Sequence, residues 1–146
     1  MYDQLRQRGK EFNIVFADRT LLSNSRLALE ASEYARDKGE YERFHENMFL
    51  GYFTEARDIG SLEVISAIAA RCDLDVDDMM IALQDGRYRP RLVQARKEGE
   101  KIDLTGVPTF IINEKFKIVG AQPIQVFQET FGTAGHFPYF ANGNRG

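Results

Sequence analysis

A chain of 146 residues, 43% hydrophobic and 28% charged, is long enough to bury a core and too apolar to remain disordered. Its net charge of −3, with acids and bases interleaved, offers no basic stripe for nucleic acid, and no apolar run approaches the length of a membrane span. One cysteine, Cys72, excludes an intramolecular disulfide and a CxxC pair. Two histidines, His45 and His136, lie far apart and near no cysteine, so neither a metal site nor a cofactor is expected. The first residues, Met1 to Arg6, have no apolar core and do not form a secretory signal, which places the expected protein in the cytoplasm.

In chain order, residues 2–9 predict a short helix that stops at Gly9. Residues 11–17 alternate Phe12, Ile14 and Phe16 with other residues and hint at extended structure. Ser23, Asn24 or Ser25 can cap a helix that carries Leu27, Ala31, Tyr34 and Ala35 on one face and stops at Gly39. A second strong helix is expected from about Glu40 to Ala56, with Tyr41, Phe44, Met48, Phe49, Tyr52 and Phe53 inward. A third starts behind Ser61 and buries Leu62, Ile65, Ile68, Ala69 and Cys72. A fourth opens at Asp75 and buries Val76, Met79, Met80 and Leu83. A fifth begins near Tyr88, with Pro90 in its first turn and Leu92, Ala95, Gly99 and Ile102 on one side.

The period then changes. Thr109-Phe110-Ile111-Ile112 reads as a strand, Asn113-Glu114-Lys115 as a turn and Phe116-Lys117-Ile118-Val119 as a second strand. Pro123 opens a last helix through Phe131, with Ile124, Phe127 and Phe131 inward. Residues 133–146, with Phe137, Tyr139 and Phe140, form a tail. A lone hairpin is marginal and leaves two open edges, so something should complete the sheet.

The segment Thr105-Gly106-Val107-Pro108-Thr109-Phe110-Ile111-Ile112-Asn113 resembles the cis-proline loop and following strand of thioredoxin-fold proteins. Its position behind a set of helices resembles the DsbA family and the kappa-class transferases, in which helices are inserted between the halves of the fold. Asn24 to Glu30, Glu42 to Glu46, Tyr52 to Glu55, Arg57 to Gly60 and Gly120 to Pro123 resemble the FrnE-like branch of that family. The resemblance implies an α/β fold: an incomplete thioredoxin-like fold with an inserted helical domain of about five helices, then a β-hairpin and a C-terminal helix. The implied division is a lead-in at 1–22, a helical domain at 23–104, the second half of the thioredoxin fold at 105–132 and the tail. It also implies a cis Val107–Pro108 bond and a loop, Gly106, Val107, Pro108 and Thr109, that binds an extended substrate through the backbone of Val107.

Family members begin with a strand, a CxxC-bearing helix and a strand, and no such unit is visible ahead of residue 9. The resemblance therefore implies a protein thiol–disulfide oxidoreductase or isomerase whose catalytic pair this chain lacks. The alternatives are a non-catalytic peptide-binding module that completes its sheet as a homodimer, and a glutathione-dependent isomerase or transferase of the kappa type. Expected partners are a protein or peptide at the proline loop, a second copy, or glutathione. Cys72 and His45 stand as further candidates, each more simply read as part of the core. Asp75, Asp77 and Asp78 begin a helix, where negative charge is favourable. Arg87, Arg89, Arg91 and Arg96 read as a solvated face.

Overall fold

The structure, a computed structural model, describes residues 2–18 and 20–135. His136 and most of the expected tail, with Phe137, Tyr139 and Phe140, lie outside the described residues. The described chain forms seven α-helices, one π-helical turn and one antiparallel pair of strands. It divides into two compact units, residues 1–95 and 96–146.

The first unit is helical. It contains α1 (Tyr2–Glu11), α2 (Arg26–Asp37), α3 (Tyr41–Phe49), the π turn Leu50–Thr54, α4 (Leu62–Arg71), α5 (Val76–Gln84) and the start of α6 (Arg89–Lys101). Helix α2 packs against α3, α4 and α5, and α4 also against α3 and α5. Small residues make this possible: Ala28, Ala31 and Ala35 share one face of α2 and let the neighbouring helices approach. Tyr34, Phe44, Ile65, Ile68, Met79 and Cys72 fill the space between them and are fully buried.

The helix ends are built locally. Gly39 adopts φ 79°, and the N–H groups of Gly39 and Glu40 return to the carbonyls of Arg36 and Ala35, which closes α2 in a Schellman motif. Gly86, at φ 68°, closes α5 in the same way. Helix α5 is capped by Asp75, whose carboxylate accepts from the Asp78 N–H at 3.0 Å. Of the three capping candidates ahead of α2, Asn24 accepts the Arg26 N–H at 3.0 Å, while the Ser25 side chain makes no cap bond.

Several expectations need correction. Helix α1 runs through Gly9 to Glu11, because Gly9 serves a close approach rather than a stop. The chain folds back so that the Ile14 N–H donates to the Gly9 carbonyl, and a Cβ on Gly9 would lie 2.6 Å from the Ile14 oxygen. Residues 11–17 form no strand. They are tied to the π turn by the Ala17 N–H donating to the Phe53 carbonyl and the Thr54 hydroxyl to the Val15 carbonyl, both at 2.8 Å. Helix α3 does not continue to Ala56 as α-helix. The π turn rotates the face, and Phe49, on its threshold, is 52% exposed rather than inward. Leu62, Ala95, Ile102 and Ile124 are exposed, and α6 buries none of its residues. Val76, Met80, Phe127 and Phe131 are only partly buried.

The arginines expected on a solvated face are each matched by acid. Arg87 pairs with Asp85 at 3.1 Å, Arg91 with Asp37 at 2.8 Å and Arg96 with Glu100 at 3.1 Å, and Arg89 lies 3.6 Å from Glu30. Hydrogen bonds from Arg91 hold the Asp37 carboxyl below its ordinary value, helped by the Tyr88 hydroxyl. Hydrogen bonds from Lys38 and Tyr34 do the same for Asp78. A carboxylate whose folded value is depressed contributes stability above its unfolded value, and loses it as pH falls through the folded one. Thermal melts should therefore hold steady from neutral pH down to about pH 5 and fall below about pH 4. Asp37→Asn should flatten that acid limb, and an unchanged limb would refute the assignment.

The second unit contains the end of α6, β1 (Thr109–Ile112), β2 (Phe116–Val119) and α7 (Ile124–Thr133). The strands are antiparallel, with Thr109 opposite Val119 and Ile112 opposite Phe116. Asn113 and Glu114 turn the chain at φ 50° and 57°. Helix α7 lies against the hairpin: the Phe110 and Phe127 rings meet edge to face at 4.9 Å, and the Asn113 amide donates to the Ala134 carbonyl. Lys117 donates to the carbonyls of Ile102 and Asp103, which ties the end of α6 to β2.

Candidate functional site

The loop ahead of β1 is shaped by three contacts. The Thr109 hydroxyl donates back to the Gly106 carbonyl at 2.6 Å. The Gly120 N–H donates to the Pro108 carbonyl at 2.7 Å, which extends the β1–β2 ladder one step past Thr109 and Val119. Gly106 lies so close to β2 that an added Cβ would meet Val119 Cγ1 at 3.3 Å. The Val107–Pro108 peptide bond is cis.

These contacts use the carbonyls of Gly106 and Pro108 but leave Val107 out. Its residue surface is 85% exposed, and neither its N–H nor its carbonyl has a hydrogen-bond partner among the described residues. Proline has no N–H, so Val107 presents an open donor and an open acceptor together, beside the Gly106 N–H, which also has no partner among the described residues. That pair lies two residues before the start of β1, where an extended chain can bond to it as another strand would. Gly106, Val107, Pro108 and Thr109 thus form one continuous surface loop.

Cys72 lies elsewhere, at the C-cap of α4, fully buried among Ile68, Ala69 and the rest of the helical core. Burial pushes its thiol up, and Glu40 and Asp73 add to this. The Arg43 guanidinium acts the other way, but it is held by the Asp73 carboxylate and the Arg71 carbonyl, both at 2.7 Å. A thiol that is sealed from solvent and kept protonated is a poor nucleophile. It behaves as a small apolar core residue.

His45 lies partly buried on α3, in a ladder of rings at steps of four. It stacks on Tyr41 at 5.2 Å with an interplanar angle of 21°, and meets Phe49 at 4.7 Å. It also lines an apolar cavity of about 220 Å³, in which Cys72 takes no part. The sequence marked His45 and the stripe of Met48, Phe49, Tyr52 and Phe53, but not Leu29 and Ile59, which also line the cavity. Nothing in their local pattern marks these two as cavity positions.

Among the described residues, no cluster of three His, Cys, Asp or Glu side chains is placed to hold a metal ion. No described helix is long and apolar enough to cross a membrane.

Comparison with known proteins bears on the same chain order. The family model for the DSBA-like thioredoxin domain matches residues 1–132. The uncharacterized protein YwbO of Bacillus subtilis (strain 168) is 31% identical over 104 residues, which is 70% of this chain and 52% of that protein. The crystal structure of a probable DsbA oxidoreductase from Streptomyces coelicolor matches with a TM-score of 0.76 at 22% identity, over 93% of this chain and 60% of that one. The second likeness is one of fold. The chain spans about half the length of the curated relative it matches.

Proposed function

The chain belongs to the DSBA-like thioredoxin domain family, and we propose that its 146 residues act as the polypeptide-binding part of a thiol–disulfide oxidoreductase of that family. Exchange requires a thiolate that attacks a disulfide and a second cysteine that resolves the mixed disulfide. The chain holds one cysteine, and its thiol is buried. On this reading the chain alone binds without exchanging, and catalysis needs a cysteine pair from outside these residues.

The observation that carries the proposal is Val107, exposed and with neither main-chain group bonded among the described residues, on a loop whose Gly106 and Pro108 carbonyls are both held. Main-chain bonding of this kind accepts many sequences, as an enzyme acting on unfolded polypeptides requires. The test is backbone NMR of the chain titrated with an unfolded, cysteine-free peptide. The Val107 amide should shift first, and Thr109→Val, which removes the bond to Gly106, should weaken binding roughly fivefold. Shifts confined to other surfaces, with Val107 unmoved, would refute it.

One observation favours a second reading. Phe110 and Ile111 are exposed on a four-residue strand whose sheet has only two strands among the described residues. A redox-inactive binding module that completes this sheet with a second copy would cover them. Sedimentation equilibrium showing a monomer would dismiss that reading and leave the first intact.

A further inference from the structure

The apolar cavity of the helical unit plays no part in the proline-loop proposal. Its walls come from α2, α3, the π turn and the segment before α4, all within residues 1–95. Its volume of about 220 Å³ can be set against a known scale. An apolar cavity of roughly 150 Å³ holds a benzene molecule. The space here therefore suits a two-ring system.

The wall chemistry narrows the choice. Phe49, Tyr52, Phe53 and His45 present ring surfaces, and Met48 adds a thioether that makes favourable contacts with aromatic edges. No Lys, Arg, Asp or Glu among the described residues lines the cavity. A charged ligand would lose its hydration there with no counter-charge from those residues to replace it. The Ser32 hydroxyl is spent on the Ala28 carbonyl at 2.8 Å. The imidazole of His45, held between Tyr41 and Phe49, joins the Tyr52 phenol and the Ser25 hydroxyl as the wall's other polar groups among the described residues.

The rings pack on one another. Phe53 meets Phe49 at 5.4 Å, Tyr52 at 4.9 Å and the edge of Phe16 at 5.9 Å. The π turn creates this arrangement, because its wider winding sets Tyr52 and Phe53 off the line of α3. Such turns recur at functional sites. Leu29 and Phe49, both about half exposed, stand at the cavity's solvent side and leave it open to entry. We propose that this cavity is a binding site for a neutral, flat, two-ring aromatic molecule.

Indole is a suitable probe, since the chain has no tryptophan and indole absorbs to the red of its six tyrosines. The full chain should be titrated with indole in buffer of about pH 8, above the ordinary histidine value. Its two histidines give two imidazole NMR signals, and His45→Gln identifies one by its loss. Indole should shift the His45 signal to saturation. Phe49→Ala should weaken binding roughly fivefold, and Leu29→Trp, which puts a ring at the opening, should abolish it. Both positions are half exposed, so the variants should keep the wild-type helix content. Indole-3-acetate, the same ring with a carboxylate, should bind at least about tenfold more weakly.

Three results would overturn the proposal. One is a His45 signal unmoved up to the solubility limit of indole. Another is wild-type affinity in both folded variants. The third is indole-3-acetate binding as tightly as indole.

Discussion

Phe44→Ala should destabilise the helical unit by about 3–5 kcal/mol and lower its melting temperature by roughly 10–20 °C. The Phe44 side chain is fully buried between α2, α3 and α4, and truncation removes its whole ring from a core with no slack around it. The loss has two parts: the transfer energy of the missing atoms, and a cavity that rigid neighbours such as Tyr34 and Ile68 only partly close. Phe49 provides the control, on the same helix and with the same side chain, but 52% exposed. Phe49→Ala should cost less than about 1 kcal/mol, because most of its ring already meets water. Urea denaturation of the two variants, followed by far-ultraviolet circular dichroism, separates them. Equal losses would mean that the core is not where the structure places it.

The second large effect concerns Glu30, a fully buried carboxylate in the middle of α2. Arg26, one turn earlier, forms an ion pair with it, and Arg89 approaches to 3.6 Å. Its Oε2 has no hydrogen-bond partner among the described residues. Removing one partner of a buried pair is costlier than the pair is worth, because the remaining charge is stranded. Arg26→Ala combined with Arg89→Ala should cost about 3 kcal/mol, at the low end for such losses. The arginines are 50% and 53% exposed, so solvent screens part of the interaction. Glu30→Met should be far milder, within about 1 kcal/mol of wild type, since it removes the buried charge and leaves two arginines free to hydrate. A Glu30→Met variant less stable than the double arginine variant would show that the carboxylate itself organises the helices.

The elements whose signals are local were legible in the sequence. Gly39 and Gly86 end helices, Asp75 caps one, and the β-branched run at 109–112 forms β1 with the expected partner and turn. The family was legible as well, because a Gly-Val-Pro-Thr-Phe loop behind a run of helices is a matter of motif and chain order. Features that depend on distant partners were not. Gly9 looks like a helix stop until Ile14 is seen folding back on it. The π turn depends on where Phe16, Ala17 and Val15 come to rest, and no residue within 50–54 announces it. The apolar stripe expected on one side of α6 buries nothing, because periodicity marks such a stripe without saying whether anything covers it. Nothing local marks Glu30 as buried, and one of its two partners is Arg89, 59 positions later in the chain.

Insulin reduction by the reduced 146-residue chain in dithiothreitol tests the central claim most directly. The chain has a single thiol and it is buried, so insulin should precipitate at the rate set by dithiothreitol alone. An acceleration that scales with chain concentration would contradict the claim, and would mean that Cys72 reaches a substrate disulfide despite its burial.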